Sequence, residues 1–191
     1  MDSDISSKYI FFRDHRGEGK IDKRCLSQWY ECQFEVEGIK YNTAEQYMMA
    51  QKALLFEDHE TYEKIMSSKS PEEYKSLGRQ IKNFSSEKWN TKKFDIVTNG
   101  NIAKFSQNEN LKKFILDTKD KILVEASPAD NIWGIGLSED DKDILDESKW
   151  KGENLLGKAL MKAREYIKKQ NLPKVIIMMV SSFDGQAKGK Y

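Results

Sequence analysis

Thr43-Ala44-Glu45-Gln46-Tyr47-Met48-Met49-Ala50-Gln51-Lys52-Ala53 is the stretch on which the reading of this chain turns. Thr43 suits an N-cap, and Gln46, at the third helical position, completes a capping box, so the spacing predicts a helix running to about Phe56. Glu45 and Lys52 are seven residues apart and therefore share a face two turns apart, with Met48, Met49 and Phe56 on that face. Tyr47, Ala50 and Leu54 occupy the opposite side, so the helix is apolar nearly all round and is expected to be buried. A buried helix carrying an acid and an amine must pair each charge or use it. Periodicity leaves both readings open. One is a structural contact between Glu45 and Lys52, or two side chains reaching solvent; the other is the wall of a site with a tunable base and a tunable amine.

Outward from this helix the pattern stays mostly helical. Asp58 suits the cap of a second helix with Tyr62, Ile65 and Met66 on one side. Ser70-Pro71-Glu72-Glu73 combines a cap, a proline at the first position and acids at the positive dipole end, and Gly78 stops that helix. Trp89 to Phe105 and Asn110 to Leu116 read as further helices, and Leu156, Leu160, Ala163 and Ile167 mark one face of another. Strand signals are fewer: a hairpin over Cys32 to Tyr41 turning at Gly38, a short strand over Lys121 to Ala126, and an apolar β-branched run over residues 174–180. The acid- and lysine-rich piece from Ser138 to Lys149 reads as a solvated loop. The fold class expected is α+β, a mainly helical single domain with a small β component. Its expected boundaries are a flexible N-terminus over residues 1–8, the domain over 9–170, and a C-terminal extension over 171–191 with a possible strand and a loose tail.

At 191 residues the chain suits one domain with a real core. Thirty-two basic residues against 31 acidic ones leave a net charge of +1, so no overall basic field draws the protein onto nucleic acid. Two cysteines, Cys25 and Cys32, make neither a disulfide framework nor a zinc spacing, and His15 and His59 are isolated; neither a metal nor a cofactor is expected. With no signal-peptide pattern and no apolar run long enough to span a bilayer, the expected setting is cytoplasmic, without a membrane partner.

Other segments could carry chemistry. Ser127 to Gly136 follows a candidate strand and offers a carboxylate in Asp130, a flat face in Trp133 and close backbone approach at Gly134 and Gly136, although an ordinary turn with a core tryptophan reads equally well. The two glycines are not a dinucleotide fingerprint. Gly152 to Gly157 opens the last helix, where exposed N–H groups would suit an anion and Asn154 either bonds a sugar hydroxyl or caps the helix. Arg79 and Lys104 offer cations for a phosphate, and Trp89 and Trp150 are either stacking platforms or core. No nucleophile elbow, P-loop or metalloprotease motif is present.

In this order, Leu26-Ser27-Gln28-Trp29-Tyr30, Thr43 to Ala53, Leu77-Gly78-Arg79, Trp89, Ala103-Lys104-Phe105, Val124 to Pro128, Trp133 to Leu137, Trp150, Gly152 to Gly157 and Arg164 resemble the NADAR (YbiA-like) family over about Leu26 to Ile167. One departure is Gln28, where the family usually has Asn. The resemblance implies a metal-free N-glycosidase cutting a ribose C1–nitrogen bond. The substrate would be a ribosylamino-pyrimidine 5'-phosphate of riboflavin synthesis or ADP-ribosylated guanine in nucleic acid. It points to Glu45, Lys52 and Asp130 as catalytic, and to Ser27, Trp89, Arg79, Lys104, Trp133 and Asn154 as substrate-binding. A desolvated Lys52 would attack C1 and displace the amine as a Schiff base, with Glu45 shuttling protons and Asp130 orienting ribose hydroxyls or activating water. Alternatively Glu45 and Asp130 would act as a carboxylate pair without a covalent step. A second class of function, a module that holds ADP-ribose or a nucleotide without cutting it, needs the tryptophans more than the acid and the amine.

Overall fold

Thr43 begins the central helix as its spacing requires. Its Oγ1 accepts the Gln46 N–H at 3.0 Å, while the Gln46 carboxamide reaches one residue further back than a capping box demands, to the Asn42 N–H at 2.8 Å. The helix that follows, α1 (Ala44–Leu55), buries every residue from Ala44 to Ala50 together with Ala53. In the computed structural model, which describes residues 7–17 and 19–171, α1 is the hub: helices α2 (His59–Ser67), α3 (Pro71–Gly78) and α4 (Ser86–Gln107) all pack on it.

The caps read from sequence are the caps observed. Asp58 accepts the Thr61 N–H at the start of α2 and also the Lys82 N–H, so one carboxylate fixes two segments. Ser70 accepts the Glu73 N–H, with Pro71 opening α3. Gly78 closes α3 against α1: a Cβ there would lie 2.0 Å from Met49 Sδ, so a larger residue would have to displace the Met49 thioether. The helices α5 (Glu109–Asp117) and α6 (Leu155–Gln170) complete the set, and α6 packs along α4 through Leu156, Leu160, Ala163 and Ile167, all buried.

Two small two-stranded sheets accompany the helices. The expected hairpin is β2 (Phe34–Val36) with β3 (Ile39–Tyr41), antiparallel. The strand β4 (Ile122–Glu125) pairs in parallel with β1 (Tyr9–Phe12), which sequence reading passed over, in the register Tyr9↔Ile122 to Phe12↔Glu125. Four residues without polar alternation, whose partner lies more than a hundred positions away, leave no local period to detect. This pair supports a second apolar cluster of Tyr9, Val124, Ala126, Ile135, Leu137 and Ile144. The run from Ser138 to Lys149 is accordingly not a simple solvated loop: Ile144 is buried, its carbonyl accepts the Trp150 indole N–H at 2.8 Å, and a 3₁₀ turn forms at Glu147–Lys149. Its charges face outward while Ile144 anchors it. The strand expected over residues 174–180, residues 1–6 and the loose end after 184 lie outside the described residues. Within them, no helix is long and apolar enough to cross a membrane.

Candidate functional site

A cleft of about 640 Å³ opens between α1, the end of α3, the segment after β1 and the loop after β4. Its floor carries the face of α1 picked out by spacing: Glu45, Met48, Met49 and Lys52 all line it. Glu45 sits in the first helical turn and is 6% exposed. Burial pushes its carboxyl up to about 7, Lys75 pulls against that shift, Asp130 adds to it and Lys52 opposes it. Lys52 is half-buried, its Nζ donating to the Gly78 carbonyl at 2.7 Å and lying 4.5 Å from the Phe84 ring centroid and 5.6 Å from that of Trp89. Burial lowers its pKa, with Glu45 holding it up and Arg79 adding to the fall. No hydrogen bond or ion pair joins Glu45 to Lys52 among the described residues, so the two groups share the cleft rather than neutralise each other.

The loop after β4 supplies the opposite wall with Ser127, Asp130, Ile132 and Trp133. Asp130 Oδ1 accepts the backbone N–H of Ile132 at 2.9 Å and of Trp133 at 2.7 Å. One oxygen of the carboxylate thus shapes the turn that carries the indole. Ser27 lines the cleft from the end of the 3₁₀ turn at Lys23–Leu26, and Arg79 lines its rim. Gln28, the departure from the family pattern, also lines it, but its carboxamide is tied to Asn101 Nδ2 at 2.8 Å.

Three residues expected to touch substrate stand behind the cleft wall instead. Lys104 is fully buried, its Nζ donating to the Ser27 carbonyl at 2.8 Å and lying over the Tyr30 and Phe105 rings. It supports Ser27 rather than facing a phosphate. Asn154 has its Oδ1 on the Glu125 N–H at 3.1 Å and its Nδ2 on the Leu123 carbonyl at 2.9 Å. It neither caps α6 nor faces a sugar. Trp89 is 8% exposed and reaches the cleft only through the Lys52 ammonium. The N-terminus of α6 is not an anion site either, because the N–H groups of Asn154, Leu155 and Leu156 donate to the carbonyls of Gly134, Ile132 and Trp133. Trp150 is partly buried against the second apolar cluster, edge-on to Tyr9.

The cleft also holds residues that sequence reading left without a role. Arg13 and Lys75 line it together with Arg79, and none of the three is in an ion pair among the described residues. Lys75 Nζ stands over the Trp29 ring at 5.7 Å. Glu125, the last residue of β4, lines the cleft with its Oε2 shielded from solvent and without a hydrogen-bond partner. A carboxylate closing an apolar strand, Ile-Leu-Val-Glu, was the available signal for it. Among the described residues no group of three or more His, Cys, Asp or Glu could hold a metal ion.

Comparison with known proteins gives this geometry a context. The NADAR domain matches residues 11–168. An N-glycosidase of Acanthamoeba polyphaga mimivirus is 47% identical over 165 residues, 84% of this chain and 96% of that protein. A riboflavin biosynthesis protein of Vibrio vulnificus is 27% identical over 157 residues, 82% of this chain and 39% of that protein. The NMR structure of the Escherichia coli protein YbiA aligns with a TM-score of 0.70 at 28% identity, covering 87% of this chain and 88% of that one.

Proposed function

Since the chain belongs to the NADAR domain family, we propose that it is an N-glycosidase that hydrolyses the bond between a ribose C1 and an amine nitrogen in a phosphorylated substrate. The observation that carries this reading is a buried carboxyl, Glu45, and a half-buried amine, Lys52, held on one helix face in one cleft without pairing to each other. A module that only held its ligand would gain nothing from desolvating an acid and an amine side by side, which is costly for both. Relatives named as an N-glycosidase and as a riboflavin biosynthesis protein support the same reading.

In the route we favour, the ribosylamine opens to an imine and the neutral Lys52 Nζ bonds to C1. The C1–nitrogen bond then breaks and the amine departs, leaving a Lys52 imine. Water adds at C1 and releases the ribose and the free lysine amine. Burial, which lowers the Lys52 pKa, raises the fraction of neutral amine. Glu45, with a carboxyl poised near neutrality, moves protons between these steps. Trp133 offers a face for a base, while Arg13, Lys75 and Arg79 offer unpaired cations for phosphate. Two substrates fit this description, a ribosylamino-pyrimidine 5'-phosphate and ADP-ribosylated guanine.

A second route keeps Lys52 as an ammonium and leaves bond cleavage to carboxyl groups. It draws on the seat of Lys52 Nζ, which has a carbonyl acceptor and two aromatic faces around it. Incubation with a ribosylamino-pyrimidine 5'-phosphate should release ribose 5-phosphate, and the same assay on ADP-ribosylated guanine ranks the two substrates. Lys52→Arg keeps the charge but not the nucleophile, so the covalent route expects a folded protein with turnover lowered by at least about 10³-fold and a borohydride-trapped ribose adduct on Lys52 of the wild type. An active arginine variant and no adduct would select the second route.

A further inference from the structure

We propose that Glu125 is a second catalytic group of the cleft: resting in its protonated form, it gives its proton to the departing nitrogen as the C1–nitrogen bond breaks, while Glu45 serves as the base. The inference rests on the N-glycosidase reading above and adds a residue and a direction of proton flow to it.

The geometry carries the assignment. Glu125 Oε2 is shielded from solvent and has no hydrogen-bond partner. An ionised carboxylate in that position would leave its shielded oxygen, Oε2, without a donor, an arrangement that folded proteins avoid by keeping the proton. None of the salt bridges among the described residues involves Glu125, although it faces the same cleft as Arg13 and Lys75. The backbone around it is immobilised from both sides. Its N–H is held by Asn154 Oδ1 at 3.1 Å, and its carbonyl accepts the N–H groups of Ser127 and Ile135, both at 3.0 Å. A Cβ on Gly134 would come within 3.0 Å of that carbonyl, so the neighbouring loop is closed tightly over it. So much anchoring around one unsatisfied carboxyl holds the group in place for a partner that arrives with substrate.

The surrounding charges separate the two acids. Glu125 is faced by Glu45 from α1, Asp130 from its own loop, Lys75 from α3 and Arg13 from the segment after β1. Burial first, then Asp130 and Glu45, push its carboxyl up to about 8, against the pull of Lys75 and Arg13. Glu45 stands near 7, with Lys75 and Lys52 both favouring its ionised form. The two acids titrate together, and a single proton held between them rests by preference on Glu125, which Asp130 and Glu45 push toward the protonated form, while Lys75 and Lys52 favour the ionised form of Glu45, the division of labour that general acid and general base require. Each turnover then balances. The Glu125 proton goes to the leaving nitrogen, the attacking water gives a proton to Glu45, and transfer of that proton back to Glu125 through solvent restores the resting pair.

The test is Glu125→Gln, which preserves the shape and neutrality of the protonated carboxyl but has no proton to give. A structural role would be met by the glutamine; a catalytic one would not. We expect kcat to fall about 10²- to 10⁴-fold with little change in KM, and the wild-type decline in rate as pH rises through about 8 to vanish in the variant. Infrared difference spectra of the wild type against the variant, recorded without substrate near neutral pH, should show the band of a buried protonated carboxyl. A glutamine variant with kcat within about threefold of wild type and the same alkaline decline overturns the proposal, as does an absent carboxyl band or a wild-type rate that stays flat through about pH 8. If Glu125→Gln does not fold, the wild-type pH profile and the Glu125→Asp variant, which keeps the proton on a shorter arm, decide in its place. A wild type that releases neither ribose 5-phosphate from the ribosylamino-pyrimidine nor ADP-ribose from ADP-ribosylated guanine, while showing the carboxyl band, defeats the enzymatic reading and not the protonation state.

Discussion

Glu45 and Lys52 were legible from spacing because a helix repeats faithfully: seven residues mean one face, and an apolar surround means burial. Spacing could not say whether the two charges pair, since that depends on where α3 ends and on Gly78 offering its carbonyl to Lys52. Lys104 illustrates the opposite failure. A lone lysine on a polar-looking helix reads as a surface cation, and only the packing of α4 against the 3₁₀ turn at Lys23–Leu26 turns it inward to Ser27. The two carboxyls have a thermodynamic consequence. Their folded pKa values are raised above the unfolded ones, so the stability they contribute is complete below the unfolded values, near 4.3, and is lost as pH rises through about 7 for Glu45 and about 8 for Glu125. Thermal melts should therefore show wild-type Tm falling across this window. Glu45→Gln and Glu125→Gln should each flatten the fall and melt higher than wild type on the alkaline side. Equal pH slopes in all three proteins would contradict the raised carboxyl pKa values.

At the scale of elements, α1 to α4 each carry their own start signal, three of them legible in the sequence, whereas α5 and α6 begin without a side-chain cap. Thr43, Asp58, Ser70 and Ser85 all accept an N–H from the first turn of the helix they precede. A parallel strand pair has no such local grammar, which is why β1 escaped notice while β4 did not. The loop holding Asp130 and Trp133 was recognisable as a loop after a strand, but not that it is stitched to the start of α6. Asn154 is part of that join. It sits in the left-handed region at φ 52 and ties β4 to α6 through two hydrogen bonds. Asn154→Ala leaves the Glu125 N–H and the Leu123 carbonyl without partners at a cost of about 1–3 kcal/mol each. It also places a residue less tolerant of positive φ at that position. Denaturant melts should show a loss of about 2–4 kcal/mol, and turnover should drop through kcat because the Glu125 backbone loses its anchor. A variant as stable as wild type would mean that this tether contributes nothing.

For the whole molecule, a net charge of +1 conceals an uneven distribution. Glu45, Glu125 and Asp130 line the cleft less exposed than the three cations Arg13, Lys75 and Arg79 that line it with them. Composition excluded a global basic field, and only the fold could bring Arg13, after β1, to the two cations at the end of α3, Lys75 and Arg79. Such an arrangement attracts an anionic end of the substrate while keeping the acids for the reacting end. Lys75→Ala combined with Arg79→Ala should raise KM about 10- to 100-fold with kcat changed much less, and the wild-type kcat/KM should fall with added salt more steeply than that of the double variant. Identical salt slopes would place the phosphate elsewhere.

The lacing between the loop after β4 and the start of α6 restricts how a binding surface of this kind can diversify. Glu153, Asn154, Leu155 and Leu156 donate in succession to the carbonyls of Asn131, Gly134, Ile132 and Trp133, and a Cβ on Gly152 would fall 2.3 Å from the Gly134 carbonyl. One inserted or deleted residue between 131 and 134 would shift these pairings out of step at once. The substrate range of this cleft is therefore open to change by exchanging side chains at fixed loop length, at Ile132 or Trp133, and closed to change by lengthening or shortening the segment that bears them.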